Sequence, residues 1–273
     1  MRKIILTALI ITFLRLGASA RTVIELGVYY EVNDDTYEAE VISNPEKYSG
    51  RVYISEKVGR YTVTSIGNNA FEDCSDLEYV YIPNTVTTIG DYAFCLCGIS
   101  LTSINIPKSV VSIGKYAFYG CTSLTEIDIP ESVTSIGDYA FGDCNNISTI
   151  TFFSNNNFSL GNNVFIYDVS LTDIYCYATQ VPITQSSTFE GIEIGSITLH
   201  VPIPLIDDYA STAPWSSFSS ILPIAGTSVE AYLYDRTTNE RCFTISGLHI
   251  FNTHKGIQIV VRDDGSRYKV IKK

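Results

Sequence analysis

A motif returns along the middle of this chain every 23 or 24 residues. Its first full copy runs Tyr61-Thr-Val-Thr-Ser-Ile-Gly-Asn-Asn-Ala-Phe-Glu-Asp-Cys74. The next is Thr87-Thr-Ile-Gly-Asp-Tyr-Ala-Phe-Cys-Leu-Cys97. Val111-Ser-Ile-Gly-Lys-Tyr-Ala-Phe-Tyr-Gly-Cys121 and Thr134-Ser-Ile-Gly-Asp-Tyr-Ala-Phe-Gly-Asp-Cys144 follow, and a worn copy closes the series as Ser159-Leu-Gly-Asn-Asn-Val-Phe165. One such unit is too short to bury its own apolar face. Stacked units share a continuous core, so a fixed period of this length directs the chain into a solenoid.

Each copy continues into a strand-like pattern, L-x-x-I-x-I: Leu77/Val80/Ile82, Leu101/Ile104/Ile106, Leu124/Ile127/Ile129, Ile147/Ile150/Phe152, Leu171/Ile174/Cys176 and Ile194/Ile197/Leu199. Alternation of this kind places the aliphatic residues on one face of a short strand. Pro83, Pro107 and Pro130 end the first copies, because proline cannot donate to a continuing ladder. The phenylalanines are expected to fill the space between coils and the alanines to sit where backbones approach. The glycine after each Ile or Leu is read as the residue of a tight turn. The expected fold is a β-rich leucine-rich-repeat solenoid of about six coils, with an N-terminal β-cap and a small C-terminal β-module.

The full pattern, I-G-x-x-A-F-x-x-C-x-x-L-x-x-I-x-I-P, resembles the BspA-like class of leucine-rich repeats. It is densest over residues 63–153 and extends more weakly to about 203. Gly27-Val-Tyr-Tyr-Glu-Val and Tyr48-Ser-Gly-Arg-Val-Tyr-Ile resemble the N-terminal cap of such proteins. The resemblance implies surface-exposed proteins, common in gut and oral anaerobic bacteria, that bind matrix proteins, host cells or other bacteria. It implies no catalysis and names no ligand.

The ends divide the chain further. Residues 1–20 read as a signal peptide: a basic start at Arg2 and Lys3, an apolar run from Ile4 to Leu14 too short to span a bilayer, and Ala18-Ser19-Ala20 as the cleavage signature. Residue 21 is Arg and not Cys, so no lipoprotein anchor is expected, and no later stretch is apolar enough to cross a membrane. Residues 21–60 are assigned to the N-terminal cap and 61–225 to the solenoid with its C-terminal cap. Pro204-Leu-Ile-Asp-Asp-Tyr-Ala reads as a short helix. Trp215 is either a sugar-stacking platform or the plug of the cap. Residues 226–273 leave the period and carry strand patterns flanking Asp263-Asp-Gly-Ser266, a hairpin turn signal. This module, through Lys255-Gly-Ile-Gln-Ile-Val-Val and Lys269-Val-Ile-Lys-Lys273, resembles the C-terminal sorting domains of type IX secretion cargo. A purely structural appendage is the alternative. Localisation at the cell surface or outside the cell follows from these readings.

Charge is divided in the same way. Residues 21–225 hold 7 basic and 24 acidic residues, a net of −17, and residues 226–273 hold 8 basic and 5 acidic, a net of +3. An acidic block of this size excludes nucleic acid as its partner, because phosphate binding needs a positive field. Three histidines, none in H-E-x-x-H, and the lack of a phosphate loop or G-x-S-x-G elbow leave no enzymatic motif, cofactor or metal site to assign. Seven cysteines in an exported chain invite disulfides. Cys74, Cys97, Cys121 and Cys144, however, hold one place in successive coils, which favours a ladder of buried thiols acting as small apolar side chains.

A binding face follows from the alternation. Residues flanking the second apolar position of each strand point away from the core and form two columns: Tyr79/Tyr81, Ser103/Asn105, Glu126/Asp128, Thr149/Thr151, Asp173/Tyr175 and Ser196/Thr198. The sequence therefore points to a non-enzymatic adhesion protein presenting a concave repeat face to a host or bacterial surface protein or glycan. A structural scaffold without a discrete ligand, and a hydrolase with an unrecognised site, are the alternatives.

Overall fold

The computed structural model describes residues 20–154 and 157–224, together with the backbone of strand segments between 233 and 271. Strands β1 (Ala20–Glu25), β2 (Val28–Asn33) and β3 (Glu38–Val41) form an antiparallel meander. The chain then winds through β4 (Gly50–Tyr53), β5 (Lys57–Val58), β6 (Tyr61–Ile66), β7 (Leu77–Tyr81), β8 (Thr88–Ile89), β9 (Ser112–Ile113) and β10 (Glu126–Ile129). It continues through β11 (Ser135–Ile136), β12 (Thr149–Phe152), β13 (Ser159–Leu160), β14 (Asp173–Cys176), β15 (Thr198–Val201) and β16 (Ser220–Pro223). Two ladders result. The short strands run β3-β6-β8-β9-β11-β13 as neighbours, and the longer ones run β4-β7 and β10-β12-β14-β15-β16. The pairings between coils are parallel. The solenoid makes about eight turns: the repeats, with a further turn at each end from β4 and β16.

The turn between the two ladders explains the motif. In the first copy Asn69, Phe71 and Asp73 donate their N–H groups to the carbonyls of Asp91, Ala93 and Cys95 in the next coil, at 2.9, 2.7 and 2.7 Å. Ala70, Glu72 and Cys74 turn theirs back onto Gly67, Asn69 and Phe71. Two left-handed residues per coil accompany this alternation, Asn69 (φ 58°) and Asp73 (φ 58°), then Tyr92 (φ 57°) and Leu96 (φ 60°). A non-glycine residue there costs roughly 1–2 kcal/mol, which the inter-coil hydrogen bonds offset. The conserved spacing of Gly serves another purpose than the expected tight turn. A Cβ on Gly114 would lie 2.5 Å from the Gly90 carbonyl carbon and 2.6 Å from the Asp91 nitrogen. Glycine is required because adjacent coils touch there.

Inside, the phenylalanines form one column. Phe71, Phe94, Phe118 and Phe141 stack in near-parallel steps of 4.8, 5.2 and 5.3 Å, each fully buried. Tyr48 extends the column at one end, and Phe165, Phe189 and Trp215 extend it at the other. Trp215 is completely buried, and its indole N–H donates to the Pro182 carbonyl at 3.2 Å. It is the plug of the cap and no sugar platform. The expected short helix is α1 (Ile206–Ser211), which drops Tyr209 into the core.

Two strand expectations need correction. Residues 101–106 form no strand, so β7 and β10 do not pair. Leu101 and Ile106 are nonetheless buried as the repeat pattern expects, and the turn before Leu101 is one residue longer than the turn before Leu124. In the last copy β15 pairs Ile174 with Leu199 and Tyr175 with His200. Leu199 and Val201 are thus the strand's core residues, while Ile197 is buried just before it. Beyond the solenoid, β17 (Leu233–Tyr234) pairs with β18 (Arg241–Cys242), and β19 (Leu248–Thr253), β20 (Ile257–Arg262) and β21 (Arg267–Ile271) make an antiparallel meander. β20 and β21 pair antiparallel, as the expected hairpin requires, and its turn at residues 263–266 lies outside the described residues. Of the proposed leader, residues 1–19 lie outside the described residues and Ala20 begins β1.

Candidate functional site

The long-strand ladder presents an outward face in two sections, β4-β7 and β10-β12-β14-β15-β16, and in the second the alternation buries Ile127, Ile150, Ile174 and Leu199 beneath it. Glu126 pairs with Thr149 and Asp128 with Thr151. Thr149 pairs in turn with Asp173, and Thr151 with Tyr175. Six of the twelve anticipated residues therefore stand in two unbroken rows across β10, β12 and β14. The rows run on into Thr198/His200 and Ser220/Leu222, not into Ser196/Thr198 as the sequence suggested. Tyr79 and Tyr81 lie on β7 beside Arg51 and Tyr53 of β4. Ser103 and Asn105 are exposed but sit in the segment without strand structure, so they interrupt the rows.

Contacts concentrate at the two ends of the face. At the first, the Arg51 guanidinium lies 4.9 Å from the Tyr79 ring centre, and Tyr53 packs against Tyr79 at 5.9 Å. A hydrogen bond from the Arg51 guanidinium to the Tyr53 hydroxyl raises the Arg51 pKa above its usual value. At the second, His200 stacks on Tyr175 with centroids 4.2 Å apart, and its Nε2 lies 2.9 Å from Asp173 Oδ1. Thr172 Oγ1 donates to the other Asp173 oxygen at 2.9 Å. Phe153 and Tyr177 stack beside this group at 5.5 Å. Arg51, Tyr53, Phe153, Tyr177, His200 and Leu222 were missed in the sequence because they lie in cap strands, one residue past a strand, or in a misaligned copy.

Other features of the molecule are structural. A groove of about 370 Å³ runs over Gly90, Gly114 and Gly137. Its polar rim is already engaged: Asn68 Oδ1 accepts from the Asp91 N–H and Asp91 Oδ1 from the Lys115 N–H, both at 2.7 Å. The six cysteines whose side chains are described are free and buried, as the ladder reading expects. Cys97, Cys121 and Cys144 donate to the carbonyls of Phe71, Phe94 and Phe118 one coil back. Burial raises every one of these thiols, Cys95 and Cys176 to about 11, so none is a ready nucleophile. Asp168 takes the cysteine place in the fifth copy. One carboxylate oxygen accepts from the Cys144 N–H at 2.8 Å, the other has no hydrogen-bond partner, and desolvation lifts its pKa to about 8. Among the described residues no group of three or more His, Cys, Asp or Glu is arranged to hold a metal, and no helix is long and apolar enough to cross a membrane.

The arrangement matches one known family, described as BspA type leucine rich repeat region, over residues 51–165 and 95–213. The chain belongs to the BspA-type leucine-rich repeat family. Among solved structures, this BspA-type chain is similar to the pneumococcal vaccine antigen PcpA, with 20% identity, a TM-score of 0.58, and coverage of 74% of this chain and 47% of that one. It is also similar to a leucine rich cell surface protein from Faecalibacterium prausnitzii, with 22% identity, a TM-score of 0.52, and coverage of 90% and 60%. At these identities the likeness is one of fold. The chain thus spans about half of the first protein and three fifths of the second. No curated protein matches it.

Proposed function

We propose that this protein is an exported, non-enzymatic adhesin that uses its long-strand face to bind a surface protein or glycan. The observation that carries the reading is the face itself. Its side chains are polar, acidic and aromatic in register, and they stand on strands whose other side is fully buried. A rigid support presents side chains at little entropic cost, and tyrosine adds large contact area with few torsions. The neighbours' descriptions as a cell surface protein and a vaccine antigen agree with display outside the cell. On this reading residues 1–20 are removed on export, 21–60 cap the solenoid of 61–225, and 226–273 form an attachment module.

The test is a capture experiment with purified protein against immobilised matrix proteins and cell-surface glycans. It is repeated with Tyr79→Ala/Tyr81→Ala and with Glu126→Ala/Asp128→Ala. Retention that drops at least fivefold in either double variant, with melting unchanged, supports the reading. Retention unchanged in both places the ligand elsewhere and rejects it.

A further inference from the structure

We infer that the end of the face formed by β12, β14, β15 and β16 docks an extended basic polypeptide segment, one bearing Lys or Arg between apolar side chains. The inference rests on the binding-face reading above and narrows it to one ligand class.

Three observations lead there. The first is an apolar and aromatic surface that nothing in the described chain covers. Phe153 is 44% and Leu222 46% exposed, and the Tyr175–His200 and Phe153–Tyr177 stacks fill the space between them. The second is charge. Glu126, Asp128 and Asp173 stand in the adjoining rows, and β10, β12, β14, β15 and β16 contain no Lys or Arg at all. Asp173 is held in place by His200 and Thr172, so its carboxylate is fixed before any ligand arrives. The third is a contrast within the same face. At the other end a face tyrosine, Tyr79, already has a cation over it, supplied by Arg51. Among the described residues no Lys or Arg plays this part for Tyr175 or Tyr177.

Lysine and arginine suit such a surface twice over. Their methylene stems lie on apolar and aromatic groups, and their charged heads reach ring faces and carboxylates. A neutral sugar would use the rings and leave the carboxylates without a counter-charge. The net charge of −17 over residues 21–225 also draws a basic segment toward the molecule and repels an acidic one.

The test is a fluorescence-anisotropy titration of the intact protein with a labelled peptide alternating Lys and Leu. A matched peptide with Glu for Lys and a neutral oligosaccharide, cellohexaose, are run beside it. The basic peptide should bind, weaken as salt is raised, and lose at least fivefold in affinity in Asp173→Asn and in Tyr175→Ala. Asp173→Asn keeps the shape of the side chain, so its result stands even where Tyr175→Ala perturbs the fold. Equal binding of the basic and acidic peptides overturns the inference, as does binding indifferent to both substitutions. Cellohexaose binding that depends on Tyr175, with no peptide binding, overturns the ligand class and leaves the face reading intact. A dimer in sedimentation that Leu222→Ser dissolves makes a second copy the occupant and also overturns it.

Discussion

The turn side and the strand face of this solenoid obey opposite rules. On the turn side each place repeats its residue: Ile, Gly, Ala, Phe, Cys, coil after coil. On the strand face the inward residues repeat while the outward ones change at each step, from tyrosine through carboxylates and threonines to tyrosine and histidine. The cause is contact. A residue on the turn side meets its own counterpart one coil away, as Phe94 meets Phe118 at 5.2 Å and Gly114 meets Gly90. Its best choice is fixed by that meeting. An outward strand residue faces solvent on one side and different partners one coil away, as Tyr175 meets His200, so the fold leaves its identity freer for a ligand to specify. Repetition therefore marks structure, and its absence on a rigid support marks where function has room.

The sharpest way to break this comparison is to remove one member of the phenylalanine column. Phe118→Ala opens a cavity between two stacked rings and should lower stability by about 3–5 kcal/mol. Chemical denaturation checks it. A loss under 1 kcal/mol would mean that the coils do not share one core. The glycine rule comes next. Gly114→Ala forces a methyl against the backbone of the preceding coil, and overpacking of this kind should cost about 1–3 kcal/mol. If Gly114→Ala is neutral, close approach is not the reason for glycine there.

The same contrast decides what could be read from the sequence. The period, the phenylalanine core and the thiol ladder were legible because contacts with an identical neighbour leave an identical letter. The sixth turn was not. Ile183 bridges Ser159, and Thr188 and Phe189 take the Ala and Phe places, but Gln185 stands near where glycine would announce the copy. The last strand was misplaced by two residues, because Ile194, Ile197 and Leu199 fit the L-x-x-I-x-I spacing as well as the true core pair does. His200 went unassigned for that reason. The break at residues 101–106 was not legible, because Leu101, Ile104 and Ile106 keep the hydrophobic pattern and Leu101 and Ile106 are buried although no strand forms. Arg51 and Tyr53 stand on a cap strand with no repeat to align against.

Asp168 sharpens the rule by violating it. Cysteine fills its place in the four preceding copies, and there the thiol is comfortable in the core. The carboxylate is not, and desolvation raises its folded-state pKa to about 8, against roughly 4 in an unfolded chain. Below about pH 4 both states hold the proton and no penalty arises. Between about 4 and 8 only the folded state holds it, so stability falls as pH rises. Above 8 the full penalty is present. Asp168→Cys should therefore stabilise the protein by a few kcal/mol at pH 8, and by much less at pH 4.5. Melting curves of the variant at both pH values test this. An equal gain at each would show that the carboxyl's charge is not what costs stability.

The smallest expected effect is the most informative about function. Glu126 and Asp128 are exposed on β10 and form no ion pair among the described residues. Replacing both with alanine removes two like charges from an already acidic surface and no packed atoms. Substitutions of this kind usually shift stability by no more than about 0.5 kcal/mol. Calorimetry of Glu126→Ala/Asp128→Ala should find the melting transition within that margin, and within it at low and high salt alike. A loss above 1 kcal/mol would show that the face carries structural load, and the division between a repeated scaffold and a free surface would fail. A neutral result makes any loss of ligand in the same variant a statement about binding alone.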